Sequence, residues 1–217
     1  TSCVDTDAGH YTDSTAQSSQ IDCPAGTYQP DTGQASCDDA DAGYYVEDNS
    51  YTEIVYDSSQ LTTGDYHTCA ILDDGSVSCW GNNADGQLGD GTTTSRTAPT
   101  QTSSLGVGRT AVAISAGDYH TCAILDDGSV SCWGYNLNGE LGDGTTTHRY
   151  TPTQTSSLEV GRTAVAISAG DAHTCVILDD GSVSCWGENM FGGLGDGTTT
   201  SRTAPTQTSS LGVGRTA

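Results

Sequence analysis

The chain has 217 residues and carries 28 acidic side chains against six basic ones, all arginine, so its formal net charge is −22 at pH 7. Such an acidic surface repels phosphate groups, which excludes a nucleic-acid-binding protein that works through a basic surface and disfavours an anionic membrane as a partner. The longest apolar stretch, residues 111–114, is far too short to span a bilayer, so we expect no membrane insertion of this segment. The low apolar content and the 28 glycines favour short strands joined by tight turns.

Residues 1–55 form a first module, which is built on a 17-residue repeat of Ala-Gly steps at 8–9, 25–26 and 42–43. Cys-Pro-Ala-Gly-Thr-Tyr at 23–28, followed by Thr-Gly-Gln-Ala-Ser-Cys at 32–37, resembles the cysteine-rich modules of the ephrin-receptor-like family. The resemblance implies an extracellular stalk of small disulfide-stapled loops. In that pattern Cys23 bonds to Cys37, and the partner of Cys3 lies upstream of residue 1.

The same module is strongly acidic, and weak calcium binding around Asp38, Asp39 and Asp41 stays open. The Asp-Gly turns further along the chain lack the spaced oxygen ligands of a dedicated calcium loop. We therefore expect no other cofactor.

Residues 56–217 repeat with a period of 53, in units of about 56–110, 111–163 and 164–217. The run His-Thr-Cys-Ala-Ile-Leu-Asp-Asp-Gly-Ser-Val-Ser-Cys-Trp-Gly at 67–81 recurs at 120–134 and 173–187, with one Ala changed to Val in the last copy. Each copy continues through Leu-Gly-Asp-Gly-Thr-Thr-Thr. This pattern is similar to the regulator-of-chromosome-condensation repeat over about 160 residues. The resemblance implies a β-propeller, usually of seven blades with four strands each.

The residues of each repeat predict short antiparallel strands independently of the family resemblance. An Asp-Asp-Gly loop that ends at Gly128 predicts a three-residue hairpin, since glycine adopts the left-handed backbone conformation easily. Centring the hairpin on that loop places Ile124 opposite Val130 and Cys122 opposite Cys132. Directly opposed strand residues come within disulfide reach, which predicts one disulfide within each blade. The three predicted bonds are Cys69–Cys79, Cys122–Cys132 and Cys175–Cys185. So many paired cysteines favour an extracellular or cell-surface location.

The predicted fold class is all-β: three four-stranded antiparallel blades of a propeller of the seven-bladed type, with a small disulfide-rich module before them. Three repeats are too few to close such a ring, and both ends of the chain fall inside a repeat unit. We expect either a segment of a longer protein or a protomer that completes its sheet edges against other copies. Open propeller edges thus suggest self-association.

The repeats differ mainly in a loop after Trp-Gly and in a short stretch after the three threonines. The asparagine and glycine at the second and fifth positions of the first loop do not vary, as backbone demands explain. The positions between them change in size, charge and polarity, and apolar side chains on a rigid loop frame are typical of a binding surface. The predicted partner-binding residues are Asn82, Ala84, Asp85, Gln87, Tyr135, Leu137, Asn138, Glu140, His148, Tyr150, Glu188, Met190, Phe191 and Gly193. The alternative is unconstrained drift, which the small polar residues of the first copy resemble.

Other motifs predict structure more than chemistry. His67, His120 and His173 each precede a cysteine by two residues and could complete a zinc set, but disulfides remove the thiolates. We interpret these histidines as structural residues that bond backbone in a turn, and we predict no metal site. Three equal His-Thr-Cys copies also argue against Cys–His catalysis, so no enzyme is expected. Arginines at a spacing of 53 predict repeated structural ion pairs.

These observations favour an extracellular recognition or adhesion protein that binds a protein or glycan partner through the variable loops. The alternatives are a structural repeat segment of a surface layer or fibre and an accessory domain of a secreted enzyme. The resemblance to the chromosome-condensation family implies nucleotide exchange on a small GTPase and chromatin contact, which the acidic charge, the disulfides and the missing blades oppose. A bacterial relative of the fold that inhibits β-lactamases through loops on one propeller face is a better guide to the mode of binding.

Overall fold

The computed structural model describes residues 60–211 and six short strands nearer the N terminus, and the chain divides into two compact units, Thr1–Asp57 and Ser58–Ala217. In the first unit, short strands pair two by two in antiparallel fashion. These are β1 (His10–Tyr11) with β2 (Ile21–Asp22), β3 (Thr27–Tyr28) with β4 (Asp38–Asp39), and β5 (Tyr44–Glu47) with β6 (Ser50–Glu53). The pairing of Cys23 with Cys37, the partner of Cys3 and the calcium hypothesis around Asp41 fall outside the described residues and stay predictions.

The second unit contains three four-stranded antiparallel sheets, one for each repeat. The first blade comprises β7 (Leu61–Thr63), β8 (His67–Ile71), β9 (Val77–Gly81) and β10 (Arg96–Gln101). The second comprises β11 (Ala111–Ala116), β12 (His120–Leu125), β13 (Val130–Gly134) and β14 (Arg149–Gln154). The third comprises β15 (Ala164–Ala169), β16 (His173–Leu178), β17 (Val183–Gly187) and β18 (Arg202–Gln207). The prediction of propeller-like blades is confirmed, and the three blades of residues 60–211 do not close a ring. No helix in the described part of the chain is long and apolar enough to cross a membrane.

The central hairpin of each blade has the predicted register. Ile124 pairs with Val130 and Cys122 with Cys132 across β12 and β13. Gly128 closes the turn with a φ of 76°, a conformation that glycine adopts without strain. The structure forms the three predicted disulfides, each between cysteines whose Cα atoms lie 4.1 Å apart. Turn chemistry thus aligns the strands, and the aligned strands bring the cysteines together.

Consecutive blades pack through a buried tryptophan. The Trp133 side chain of the second blade is fully buried, and its indole Nε1 donates a hydrogen bond of 2.9 Å to the carbonyl oxygen of Gln87 in the first blade. A Cβ atom on Gly89 would lie only 2.8 Å from the Trp133 ring, so this position has no room for a side chain. The apolar core therefore lies mainly between blades, where the faces of neighbouring sheets meet.

A buried histidine completes the contact between the first two blades. His67 Nε2 lies 2.8 Å from Thr121 Oγ1, and the same hydroxyl donates to the Gln87 carbonyl oxygen at 2.9 Å. Because the hydroxyl proton goes to the carbonyl, the histidine must be the donor in the first bond, which fixes the proton on Nε2. Burial lowers the pKa of His67 to about 4, so the ring is neutral at physiological pH. The histidine thus bonds a side chain of the next blade, which corrects the expectation of a bond to turn backbone.

We expect the disulfides to contribute strongly to stability. Replacing Cys122 and Cys132 together by alanine should lower the free energy of unfolding by roughly 3 kcal/mol, since the bond closes a loop of about ten residues. Urea unfolding of the purified double variant measures the loss. Peptide mapping without reductant is the control on the pairing, and six free thiols at these positions would contradict it.

Candidate functional site

Two connections of each blade lie at the same end of its sheet. In a four-stranded antiparallel blade, the turn between the first two strands and the loop between the last two strands share one end. In the second blade these connections are residues 117–119 and 135–148, and the Tyr119 and Tyr135 rings meet with centroids 6.2 Å apart. We call this end of the three blades, residues 64–66 and 82–95 with their counterparts in the later repeats, the loop end.

An invariant asparagine holds each long loop. Asn136 is fully buried, and its side-chain nitrogen donates to the carbonyl oxygens of Thr145 and Thr147 at 3.1 and 3.0 Å. Its side-chain oxygen accepts the backbone N–H of Leu141 at 2.9 Å. Asn83 and Asn189 make the equivalent bonds in the other blades. Satisfied polar networks of this kind hold a loop in one shape, so the variable positions lie on a fixed frame.

An aspartate–arginine pair closes each frame. Arg202 contacts the Asp196 carboxylate at 2.6 Å, and the carboxylate side chain is only 3% exposed. The hydrogen bond from Thr198 lowers the pKa of Asp196 to about 2, with further lowering by Arg202 and opposition from burial. The counterpart pairs are Arg96–Asp90 and Arg149–Asp143. Arg109 and Arg162 form ion pairs with the Asp-Asp-Gly turns at the opposite end. The structural role predicted for the arginines is therefore confirmed within residues 60–211.

Four of the predicted partner-binding residues are large apolar or aromatic side chains that are exposed at the loop end or, for Tyr150, on the strand that follows the loop. Leu137 and Tyr150 of the second blade are 57% and 45% exposed. Met190 and Phe191 of the third blade are 59% and 89% exposed. None of the four takes part in the apolar core between blades. Their exposure meets the structural requirement of the binding hypothesis, since side chains inside a blade could not reach a partner.

The other predicted partner-binding residues differ in exposure. Ala84 and Gly193 are exposed. The half-buried residues are Asn82, Asp85, Tyr135, Asn138, His148 and Glu188. His148 has a structural task, because its Nδ1 accepts the backbone N–H of Asn136 at 2.8 Å, where the first and third blades use a serine hydroxyl. Variation at this position therefore keeps the frame intact.

Gln87 and Glu140 are fully buried, which corrects their assignment to the binding surface. The Gln87 side-chain oxygen accepts the backbone N–H of Asp85 at 3.0 Å, and Glu140 accepts the backbone N–H of Asn138 at 2.9 Å. Both side chains fold under their own loop and brace it from below. Their main-chain carbonyls also accept the bonds from the next blade. Glutamine and glutamate can both do this task because each has a side-chain oxygen, whereas Gly193 at the same position of the third blade has no side chain.

Sequence reasoning missed the contribution of the short turns to the loop end. Tyr66 is 59% exposed, and its ring centroid lies 6.0 Å from that of Tyr119. With Tyr135 and His148, whose rings lie 4.8 Å apart, these residues form a row of aromatic rings across two blades, which we call the tyrosine row. Burial, together with the carboxylates of Asp171 and Asp65, raises the pKa of the adjacent Asp118 to about 6. The loop end therefore combines aromatic rings with negative charge.

The described residues offer little for metal or covalent chemistry. Among residues 60–211 no group of three His, Cys, Asp or Glu side chains is placed to hold a metal ion. The cysteines next to the three histidines are all in disulfides. Shallow polar grooves lie at the opposite end of the blades, and one of about 400 Å³ is lined by Asp127, Ser129, Gln154 and neighbouring residues.

The similarity of this chain to known proteins lies in its repeats. The family described as Regulator of chromosome condensation (RCC1) repeat matches residues 74–124 and 127–177. A second pattern of the same description matches residues 59–87, 111–140 and 164–192. Together these matches cover more than half of the chain.

Individual relatives share the repeats over part of their length. The Ultraviolet-B receptor UVR8 of Arabidopsis thaliana is 36% identical over 146 residues, which are 67% of this chain and 33% of the receptor. The human E3 ubiquitin-protein ligase HERC2 is 35% identical over 137 residues, which are 63% of this chain and 3% of the ligase. The chain thus spans a third or less of the length of these relatives. The solved structure of Prp20p from Saccharomyces cerevisiae matches with a TM-score of 0.63 at 16% identity, over 94% of this chain and 56% of that one, which supports the propeller fold.

The frame of the loop can be tested at two neighbouring positions. Replacing Asn136 by alanine should lower the free energy of unfolding by about 1–3 kcal/mol, because several buried polar groups lose their partner. Leu137→Ala in the same loop is the matched control and should change it by less than about 0.5 kcal/mol, since that side chain is exposed. Chemical unfolding measures both values, and equal effects would show that the asparagine does not hold the loop.

A second prediction concerns the buried carboxyl group. Burial raises the pKa of Glu140, so its ionisation opposes folding, and the stability it contributes is lost as pH rises through the folded-state pKa. Glu140→Gln imitates the first repeat and removes this loss. The variant should unfold at higher urea concentration than the parent at pH 7, and the difference should shrink below the ordinary titration range of glutamate. A variant less stable at pH 7 would contradict the prediction.

Proposed function

Because the chain belongs to the regulator of chromosome condensation (RCC1) repeat family, we propose that it is a non-catalytic binding module that holds a protein partner on its loop end. The observation that carries the proposal is the contrast between frame and surface. Buried asparagines and Asp–Arg pairs are the same in all three blades, whereas the exposed positions of the loop after Trp-Gly differ in each. A rigid frame with varied exposed side chains is what repeat proteins use to build a specific interface.

The exposed side chains suit a protein surface with apolar pockets. Phe191 and Met190 are adjacent and protrude from a loop whose backbone is already held, so binding would order few groups. Aromatic and methionine side chains at a preorganised position are frequent anchors of protein interfaces. Leu137 and Tyr150 on the second blade extend the apolar area across the loop end.

The charge of the loop end indicates the chemistry of the partner. Asp65, Asp118 and Asp171 lie at the same repeat position beside the tyrosine row, and Asp85 and Glu188 lie in the variable loops. The arginines of the loop end are already paired with buried carboxylates. A partner with basic residues around an apolar centre would complement this surface and would associate faster at low salt.

Similarity to relatives supports binding in general terms. The report on the yeast Prp20p structure describes its binding properties to Gsp1p and histones, and that protein shares the blade fold. This similarity concerns the shared blade fold, and we propose neither Gsp1p nor histones as a partner of this chain. A glycan partner remains the second possibility, because a row of tyrosine rings can stack on sugars.

We also propose an extracellular or cell-surface setting with a role in recognition or adhesion. Support comes from the disulfide in every blade, since such bonds persist in oxidising compartments and are rare in the cytosol. If the setting is correct, protein isolated from its native source without reductant should carry these bonds. A free-thiol assay on that material decides the matter.

The binding proposal predicts a specific loss on changing the two protruding side chains. Met190→Ser with Phe191→Ser should weaken binding at least tenfold, which is about 1.4 kcal/mol, because both anchors are removed. The binder is first identified from panels of purified extracellular proteins and of glycans, and its dissociation constant is then measured by surface plasmon resonance.

The chain offers a matched control at the opposite end of the blades. Val107 and Val160 are fully exposed, and their replacement by serine removes a comparable amount of exposed apolar surface. This control should bind like the parent. If it loses binding while the loop variant retains it, the partner site lies at the other end and the proposal is wrong.

A further inference from the structure

The contact between the first two blades is repeated between the second and third with the same groups. His120 Nε2 donates to Thr174 Oγ1 at 2.8 Å. The carbonyl oxygen of Glu140 accepts both Thr174 Oγ1, at 3.1 Å, and Trp186 Nε1, at 2.8 Å. Each blade thus has a His face, with the histidine and the carbonyl, and a Trp face, with the threonine and the tryptophan. A His face always meets the Trp face of the following blade.

The first blade has a Trp face, and the third a His face, that no other blade of residues 60–211 covers. Trp133 and Trp186 are fully buried, whereas the identical Trp80 of the first blade is only partly buried. His120 is 1% exposed, whereas His173 of the third blade is only partly buried. The side chains of Trp80, Thr68 and His173 form no hydrogen bond with any described residue.

The two uncovered faces carry matching groups. Thr68 and Trp80 are the 53-residue counterparts of the threonine and tryptophan that the later blades use. On the third blade, His173 offers the ring nitrogen and Gly193 the carbonyl oxygen of the same contact. Because this contact uses the main-chain carbonyl, the change to glycine at residue 193 leaves the acceptor in place.

The third blade also has an open place for a tryptophan ring. Between blades, a Cβ atom on Gly89 or Gly142 would lie 2.8 Å from the Trp133 or Trp186 ring. A Cβ atom on Gly195, the counterpart in the third blade, would meet nothing nearer than Thr208 at 3.6 Å, and Gly195 is exposed. The site that receives a tryptophan in two blades is therefore present in the third without one.

We propose that two copies of the chain associate head-to-tail, with the His face of the third blade of one copy against the Trp face of the first blade of the other. The occupant is a second copy because the complement of each uncovered face is carried by this same chain. The contact would repeat an interface that the chain already forms twice. Such an interface is heterologous, since different surfaces of the two copies meet.

The charge of the chain sets a condition on this association. Each copy carries a formal net charge of −22, so two copies repel one another, while the contact itself consists of neutral groups. Salt screens the repulsion between exposed charges and leaves short neutral hydrogen bonds largely unaffected. The association therefore becomes tighter as ionic strength rises, opposite to the salt dependence expected for a basic partner at the loop end.

Analytical ultracentrifugation of the oxidised 217-residue chain over about a hundredfold range of concentration tests the proposal. Trp80→Glu disables the Trp face and His173→Glu disables the His face, and each variant alone should self-associate at least tenfold more weakly, or about 1.4 kcal/mol. Trp80→Ala is the milder second variant, and thermal unfolding checks that all variants fold. The loop variant Leu137→Ser, on the second blade whose two faces are both covered, is the matched control and should associate like the parent, which separates this interface from the proposed partner site.

Mixing the two single-face variants gives the decisive result. Each supplies the face that the other lacks, so an equimolar mixture should recover a dimer with one intact interface. A symmetric interface would stay broken in the mixture, and that outcome overturns the head-to-tail arrangement. A parent chain that is monomeric at every concentration and salt level also overturns the proposal, and its faces would then serve only other repeats. Association that both face variants retain, or that only the loop variant loses, overturns it as well.

Discussion

The buried hydrogen bonds between blades are the interaction on which the rest of the second unit depends. In each contact a threonine hydroxyl and an indole N–H donate to one main-chain carbonyl, and a neutral histidine donates to that hydroxyl, with almost no access to water. A buried donor left without an acceptor would cost about 1–3 kcal/mol, so the blades can meet in only one alignment. Burial lowers the pKa of His120 to about 3, which keeps the ring in the neutral form that the contact requires. The histidine, threonine and tryptophan of this contact recur every 53 residues, so each blade meets the next in the same alignment.

The same carbonyl links the blade contact to the loop end. The main-chain carbonyls of Gln87 and Glu140 accept hydrogen bonds from the next blade. Their side chains accept hydrogen bonds from backbone N–H groups of their own loop. The position of the loop is therefore set from below by blade packing and from the side by the buried asparagine. Once both are satisfied, the residues at the tip are free to change without loss of the fold. This division explains how Ala84, Leu137 and Met190 can occupy equivalent positions.

The sequence predicted those features that depend on local chemistry. An Asp-Asp-Gly turn sets the hairpin centre, and from that centre the pairing of Cys122 with Cys132 follows by counting. It could not predict the partner of His67, because Thr121 is 54 residues away and belongs to another sheet. It also assigned Gln87 and Glu140 to the surface, since variation between repeats normally marks exposed positions. The clue in the sequence is that Gln and Glu both have a side-chain oxygen at this position. In the structure that oxygen accepts the backbone N–H of the residue two positions earlier.

The arginines explain how so acidic a chain can present two different surfaces. In the described part of the chain, three arginines neutralise carboxylates inside the loop frames and two neutralise the hairpin turns at the opposite end. The carboxylates beside the tyrosine row have no arginine partner there, and their mutual repulsion contributes to the raised pKa of Asp118. The uncovered blade faces, by contrast, present neutral hydrogen-bonding groups. Negative charge at the loop end and neutral groups on the blade faces therefore favour different partners, and salt should shift the balance between them in opposite directions.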